Sequence, residues 1–146
     1  MNLQIINGPN LNMLGSREAA IYGNLSLAEI QKLTETKCPS FQLDWWQSNS
    51  ESEIIGKIQS LMSSDFDGLI INPAAYSHTS IGILDALKIL TIPIAEVHLT
   101  NVYSRESFRH SLLTAQAASI IMSGLGKDSY HYAANALNEY IHRGIK

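Results

Sequence analysis

Residues 68–80 read GLIINPAAYSHTS, and this stretch decides the fold. Its first part, from Gly68 to Ile71, is an uninterrupted apolar run, which is typical of a strand buried on both faces of a parallel sheet. Polar residues follow, and either Thr79 or Ser80 can begin a helix with an apolar stripe. A strand, a polar turn and a helix in this order form one β/α repeat.

The same repeat occurs five times along the 146 residues. Strands are predicted for Leu3–Asn7, Phe41–Trp46, Gly68–Ile71, Pro93–Val97 and Ser119–Met122. Helices are predicted to begin at Ser26, Ser50 and Thr79 or Ser80, to lie within Ser104–Thr114, and to run from Ser129 to Ile141. Ser26 with Glu29, and Ser50 with Glu53, have the spacing of a capping box. The pattern predicts a single α/β domain over residues 1–146, with a flavodoxin-like, doubly wound sheet of five parallel strands and helices on both faces.

Composition and charge exclude several classes of partner. The formal net charge is -3 and no run of basic residues occurs, so we expect no nucleic-acid partner. No apolar run is long enough to span a bilayer, so we expect no membrane partner. The single cysteine, Cys38, and the lack of a secretory signal predict a cytoplasmic protein. The low charged fraction of 16% has two explanations, burial between subunits or replacement by neutral polar residues.

Polar residues cluster directly after four of the predicted strands, at residues 7–10, 47–49, 72–78 and 96–101. The carboxyl ends of parallel strands meet at one edge of the sheet, and ligands bind there. The segment from Gly8 to Leu25 is longer than an ordinary connection, which predicts a lid that carries Arg17 and Tyr22. These positions together predict an enzyme active site.

Several well-known kinds of site are absent from the sequence. There is no phosphate-binding P-loop, no glycine-rich dinucleotide fingerprint after the first strand and no nucleophile elbow. The five histidines do not have the spacing of metal ligands, so we expect no metal. With these kinds of site excluded, acid–base catalysis is the chemistry that the remaining residues favour.

His98 lies two residues after Glu96, so both side chains project from the same face of a strand. A carboxylate beside an imidazole fixes its tautomer and raises its pKa, which suits a general acid. The alternative is a buried pair that only ties a strand to a helix. The position at the end of a strand, next to Thr100 and Asn101, favours the general acid.

Tyr22 is the candidate base. A free phenol has a pKa of about 10 and is a poor base near neutral pH. The guanidinium of Arg17, on the same loop, would stabilise the phenolate, and a closed lid would strengthen that interaction by excluding water. The alternative is an exposed tyrosine and a solvated arginine.

Neutral amides and cations complete the candidate set. Asn10 and Asn72 can donate to a developing oxyanion or hold a water, although both also fit ordinary turns. Arg105 and Arg109 lie four residues apart, on one face of the predicted short helix. Either could bind a carboxylate or vicinal hydroxyls, or form a surface ion pair with Glu106.

Backbone groups are a further candidate. Leu99 and Thr100 follow a predicted strand directly, where free N–H groups can bind a small anion.

Four blocks of the sequence resemble the type II 3-dehydroquinate dehydratases. The blocks are residues 6–12 (INGPNLN) with 14–18 (LGSRE) and 22–23 (YG), residues 47–51 (QSNSE), residues 72–80 (NPAAYSHTS), and residues 96–102 (EVHLTNV) with 105–106 (RE) and 108–109 (FR). They occur in the family's order and cover essentially the whole chain, so the resemblance is specific.

The resemblance implies a reaction, the cofactor-free anti elimination of water from 3-dehydroquinate through an enolate to 3-dehydroshikimate. This step belongs to the shikimate pathway, which leads to chorismate and the aromatic amino acids. Tyr22 would remove the proton next to the ketone, with Arg17 lowering its pKa. His98 would protonate the leaving hydroxyl, with Glu96 orienting it, and Asn10 would hold the water that stabilises the enolate.

The resemblance also implies where the substrate is bound. Its carboxylate would be held by Leu99 and Thr100, and its ring hydroxyls by Asn72, His78 and Arg109. A flavodoxin-like module that binds a small anion without turnover is the alternative function. A complete acid and base set argues against it, because a binding module needs neither.

Oligomer formation is the last implication. The family forms trimers that assemble into dodecamers, and Asp85 matches an aspartate that reaches a neighbouring subunit's site. The chain departs from the family at Leu84, where arginine is common, at residues 110–113 (HSLL), and at Ser129, where glycine is frequent. None of these is a proposed catalytic position, so the departures near Leu84 and Leu112 concern the subunit contacts.

Overall fold

Five parallel strands form one sheet in the computed structural model, which describes residues 1–16 and 24–144. The strands are β1 (Asn2–Asn7), β2 (Gln42–Gln47), β3 (Gly68–Asn72), β4 (Ile94–His98) and β5 (Ile120–Ser123). Their order across the sheet is β2-β1-β3-β4-β5, and every neighbouring pair is parallel. The order reverses between β1 and β3, so the predicted doubly wound, flavodoxin-like sheet is confirmed.

Four α-helices cover the two faces of the sheet in the described part of the chain. They are α1 (Leu27–Lys37), α2 (Glu51–Ser60), α3 (Ile81–Ile89) and α4 (Ser129–His142). Ile70 of β3 packs in the core beneath α1 and α4, whereas Leu69 and Ile71 pack in the core beneath α2 and α3. Successive side chains of a strand face opposite sides, so a strand covered on both sides must be apolar at every position. This explains the uninterrupted run that follows Gly68.

Side-chain caps begin three of the helices. Ser26 and Glu29 form the complete capping box predicted for α1. Only half of the box predicted for α2 is present, because the Ser50 hydroxyl accepts from the Glu53 amide while the Glu53 carboxylate binds the Ser48 hydroxyl instead. At α3 the cap is Ser80, whose hydroxyl accepts from a backbone N–H of the first turn at 2.9 Å.

The helix predicted within residues 104–114 is wrong as an α-helix. Short 3-10 turns occur instead at Val102–Ser104, Ser107–Arg109 and Thr114–Ala117. The Leu113 amide donates to the Ser77 carbonyl at 2.7 Å, so the segment crosses to the turn after β3 instead of continuing its own helical hydrogen bonds. The two arginines at 105 and 109 therefore do not share the face of a helix.

None of the helices in the described ranges combines the length and the apolar character that a bilayer span requires.

Candidate active site

A pocket opens at the carboxyl ends of β1, β3 and β4, beside the reversal of strand order. The space in and above it amounts to about 750 Å³, which includes the open mouth. Its lining residues come from four segments: Pro9, Asn10, Leu11 and Leu14; Asn72, Ala74, Ala75 and His78; His98, Leu99, Thr100 and Val102; and Arg105 and Arg109. Seven of the predicted site residues are among them, namely Asn10, Asn72, His78, His98, Leu99, Thr100 and Arg109.

The remaining predicted site residues have other positions. Glu96 lies behind His98 and is fully buried. Asp85 is exposed on α3 and does not line the pocket. Arg17 and Tyr22 lie outside the described residues. Within the described ranges, no group of three histidine, cysteine or carboxylate side chains could hold a metal ion.

A close backbone approach brings the ends of β1 and β3 together. The Gly8 amide donates to the Asn72 carbonyl at 2.8 Å, and a Cβ at Gly8 would lie 2.4 Å from the Pro73 carbonyl oxygen. Only glycine fits such an approach. Asn10 and Ala74, which line the pocket on either side, both have left-handed backbone conformations, with φ of 66° and 53°. Strained backbone of this kind is concentrated at functional sites.

His98 and Glu96 form the pair that the sequence predicts. His98 Nε2 lies 2.8 Å from Glu96 Oε1, and the histidine is only 6% exposed. The second carboxylate oxygen, Oε2, is buried without a hydrogen bond to any described residue. Because Nε2 is engaged, Nδ1 is the ring nitrogen left for the pocket. The carboxylate can therefore accept from Nε2–H and fix the orientation of the ring, with Nδ1 facing the pocket.

His78 lies beside His98 and has a lowered pKa. Their ring centroids are 6.5 Å apart with an interplanar angle of 23°. Burial lowers the pKa of His78, and the nearby charges of His98 and Arg109 lower it further, against the opposing effects of the Ser111 carbonyl and Glu96. His78 Nδ1 is 2.9 Å from the Ser111 carbonyl oxygen, so it must carry the ring proton. A neutral His78 therefore offers Nε2 as an acceptor.

The segment after β4 is held through its carbonyl groups. The Leu99 carbonyl accepts from the Gly126 amide at 2.8 Å, and the Thr100 carbonyl accepts from the Ser123 hydroxyl at 3.0 Å. The same hydroxyl accepts from the Val102 amide at 3.2 Å. The N–H groups of Leu99 and Thr100 have no hydrogen-bond partner in the described ranges. Two free N–H groups at a pocket wall can bind a small anion.

Arg105 and Arg109 both line the pocket and both contact Glu106. Arg109 Nε lies 2.9 Å and Arg105 Nε lies 3.5 Å from Glu106 Oε2. The ion pair raised as an alternative to substrate binding is therefore present. It does not exclude substrate binding, because the terminal guanidinium nitrogens of Arg109 make no hydrogen bond to a described residue.

Sequence reasoning missed three residues that support the pocket. Asn49 accepts from the Asn10 amide at 2.8 Å, Ser123 holds the segment after β4, and the Tyr130 hydroxyl contacts Asn72. Asn49 lies in the polar cluster at residues 47–49, which marks the end of a strand but does not indicate a contact with Asn10. Ser123 and Tyr130 had no local signal, because each acts on a residue at least 23 positions away.

Comparison with known proteins gives consistent matches. The model of the family described as dehydroquinase class II matches residues 1–138. The 3-dehydroquinate dehydratase of Aliarcobacter butzleri is 46% identical over 143 residues, which cover 97% of this chain and 87% of that protein. The 3-dehydroquinate dehydratase of Synechococcus sp. (strain CC9605) is 46% identical over 145 residues, or 98% of this chain and 99% of that protein. The crystal structure of type II dehydroquinase from Butyrivibrio crossotus superposes with a TM-score of 0.91 at 41% identity, covering 94% of this chain and 97% of that one.

Proposed function

The chain belongs to the class II dehydroquinase family and is a 3-dehydroquinate dehydratase, a hydro-lyase, and on this premise we propose which of its residues carry the reaction. The observation that carries the proposal is the buried Glu96–His98 pair, whose imidazole lines a pocket with free N–H donors. A non-catalytic binding module has no need of such a pair and is not favoured by the comparisons.

His98 is the general acid. The buried carboxylate of Glu96 holds Nε2 and stabilises the imidazolium, and Nδ1 then donates its proton to the departing hydroxyl. The C–O bond of the substrate breaks as that proton arrives, so the hydroxyl leaves as water and the enolate collapses to the conjugated enone.

Tyr22 is the base that forms the enolate. Its phenolate takes the proton from the carbon next to the ketone, and Arg17 stabilises that phenolate. The support for both roles is the sequence, which places them on one segment after β1, and the family resemblance. Asn10 holds the water that stabilises the enolate. Its side-chain amide has no hydrogen-bond partner in the described part of the chain, and it lines the pocket.

The substrate carboxylate binds the N–H groups of Leu99 and Thr100. Neither N–H group has a hydrogen-bond partner among the described residues. The ring hydroxyls bind Asn72, His78 and Arg109. The neutral His78 accepts a hydroxyl proton at Nε2, and the guanidinium of Arg109 donates. The site thus offers hydrogen-bond donors to the substrate carboxylate, and both donors and an acceptor to its ring hydroxyls.

The assembly is a homo-oligomer in this proposal, with trimers that form a dodecamer and Asp85 reaching a neighbouring subunit's site. Asp85 shares one exposed face of α3 with Ile81 and Ile89, which are 64% and 48% exposed. A second subunit would cover these apolar side chains. Leu84, where the family commonly has arginine, is buried against its own chain. Size-exclusion chromatography with light scattering measures the assembly.

The proposed setting is the shikimate pathway in the cytoplasm. The sequence contains one cysteine, and the structure buries it as a free thiol, which suits a reducing compartment.

The reaction is tested by adding 3-dehydroquinate to the purified protein and following the ultraviolet absorbance of the conjugated enone. His98→Ala is expected to reduce turnover by at least about 10²-fold, the scale for losing a positioned acid. His142→Ala, at the exposed end of α4, is the matched control and should be fully active. If His98→Ala lost only affinity, His98 would bind the substrate without donating a proton. No absorbance change at high enzyme concentration would favour the binding module.

A further inference from the structure

Tyr130 lies on α4 with its hydroxyl between two asparagines at the ends of neighbouring strands. The hydroxyl donates to Asn7 Oδ1 at 2.5 Å and accepts from Asn72 Nδ2 at 3.1 Å. Asn7 and Asn72 are register partners in β1 and β3. Each follows by two positions a residue of the core beneath α4, Ile5 or Ile70, so both side chains project toward that helix. All three side chains are almost completely buried.

The neighbouring groups determine which atom donates in each of the two hydrogen bonds of the Tyr130 hydroxyl. Burial raises the pKa of Tyr130 well above its usual value, against a smaller opposing effect of the Asn72 hydrogen bond, so the phenol keeps its single proton. Asn7 Nδ2 lies 3.5 Å from the Trp46 carbonyl oxygen, which leaves Asn7 Oδ1 to face the phenol. Since the phenol proton goes to Asn7, the phenol oxygen can only accept from Asn72.

The other end of the Asn72 amide is held as well. Its Oδ1 accepts from the Ala74 amide at 3.2 Å. A flip of the amide would place an N–H against the Ala74 N–H and a carbonyl oxygen against a phenol oxygen that has no proton to give. The second N–H of Nδ2 has no partner in the described part of the chain, and Asn72 lines the pocket.

We propose that Tyr130 is a positioning residue, which orients the Asn72 amide so that it presents an N–H group, and not its carbonyl oxygen, to a ring hydroxyl of the substrate. The proposal rests on the proposed contact between Asn72 and the substrate. Tyr130 itself touches no reacting atom, and its effect passes through Asn72.

The main test is Tyr130→Phe, assayed with 3-dehydroquinate. The substitution keeps the ring, whose centroid lies 5.0 Å from that of Trp45, and removes only the hydroxyl. Asn72 would contact a hydroxyl that does not react, so its loss weakens ground state and transition state alike. We expect KM to rise about 3- to 10-fold, the effect of one hydrogen bond, with kcat within about twofold. Tyr132→Phe, on an exposed position of the same helix, is the matched control and should change neither constant.

A double-mutant cycle separates this proposal from the proposed substrate contact. Asn72→Ala should raise KM, and Tyr130→Phe should add nothing in that background. An unchanged KM in Asn72→Ala would overturn the substrate contact itself. A raised KM in Asn72→Ala with a normal KM in Tyr130→Phe would overturn only the positioning role. Equal effects of Tyr130→Phe in both backgrounds would also overturn it, because Tyr130 would then act by another route.

Two further experiments apply if Tyr130→Phe does not fold. Asn7→Ala removes the acceptor of the phenol proton, so the phenol can donate to the Asn72 carbonyl oxygen and oppose the orientation that the Ala74 amide favours. The same rise in KM is expected, and a normal KM would refute the positioning role. In the unaltered protein, proton magnetic resonance should show an Overhauser contact between an Nδ2 proton of Asn72 and the Tyr130 ring. Its absence would also refute the proposal.

Discussion

Replacing Glu96 by glutamine separates the two interpretations of the Glu96–His98 pair. Glutamine keeps the shape of the side chain and can still accept from His98, so the charge is the main property that changes. Two unit charges about 4 Å apart interact by about 4 kcal/mol at an effective dielectric constant of about 20. The nitrogen and the oxygen of this buried pair are 2.8 Å apart, so the same relation gives about 6 kcal/mol for the contact itself.

The net effect on catalysis is smaller than the Coulomb energy. The retained hydrogen bond and the relaxation of the site recover part of it, which leaves about 1–3 kcal/mol, or a decrease in kcat of about 5- to 150-fold. The enone absorbance measures kcat and KM. Glu139→Gln, which removes an exposed carboxylate paired with Arg143, is the control and should leave kcat unchanged.

Stability is expected to respond differently from activity. Glu96 Oε2 is buried without a hydrogen bond to a described residue, so the carboxylate is incompletely compensated. Glutamine keeps the hydrogen bond, and a neutral imidazole then leaves no buried charge unpaired, so the free energy of unfolding should fall by no more than about 1 kcal/mol, measured by urea denaturation. A normal kcat combined with a large loss of stability would refute the catalytic role. The pair would then only stabilise the packing of the strand against its neighbours.

Three other measurements test the remaining roles. Tyr22→Phe should lower kcat by about 10²-fold or more with the fold intact, the scale for a lost base, and near-normal turnover would remove Tyr22 from that role. Ser123→Ala frees the Thr100 carbonyl and should raise KM about 3- to 10-fold through the substrate carboxylate, whereas the exposed Ser119→Ala should not; equal KM values would contradict the anion site. The folded pKa of His78 lies below its usual value of 6.5, because burial disfavours its charged form. The unfolded chain therefore binds more protons below about pH 6.5, and the stability that His78 contributes above that pH should be lost as the pH falls toward the folded pKa. Urea denaturation from pH 5 to 7 should show a smaller decrease in the His78→Gln variant, and identical pH profiles would contradict this assignment.

Much of the fold could be predicted because its signals are local. The apolar run after Gly68, the alternation of apolar and polar residues, and the caps at Ser26 and Ser80 each concern a few neighbouring residues. The segment at 104–114 was predicted wrongly because a distant contact, from the Leu113 amide to the Ser77 carbonyl, determines its path.

In the candidate site too, the features that depend on neighbouring residues could be predicted. Its position could be predicted from the polar residues after the predicted strands, because parallel strands of one sheet bring their carboxyl ends to the same edge. The spacing of Glu96 and His98 likewise sufficed to predict their contact.

The sequence by itself determined the order of strands and helices, the edge that carries the chemistry and the residue types available there. Only the tertiary structure decided how those side chains are oriented. Tyr130 meets Asn7 across 123 positions of the chain and Asn72 across 58, and Ser123 meets Thr100 across 23. Periodicity reports which face of a strand or helix is buried. The direction of a buried hydrogen bond depends on partners that become neighbours only when the helices pack on the sheet.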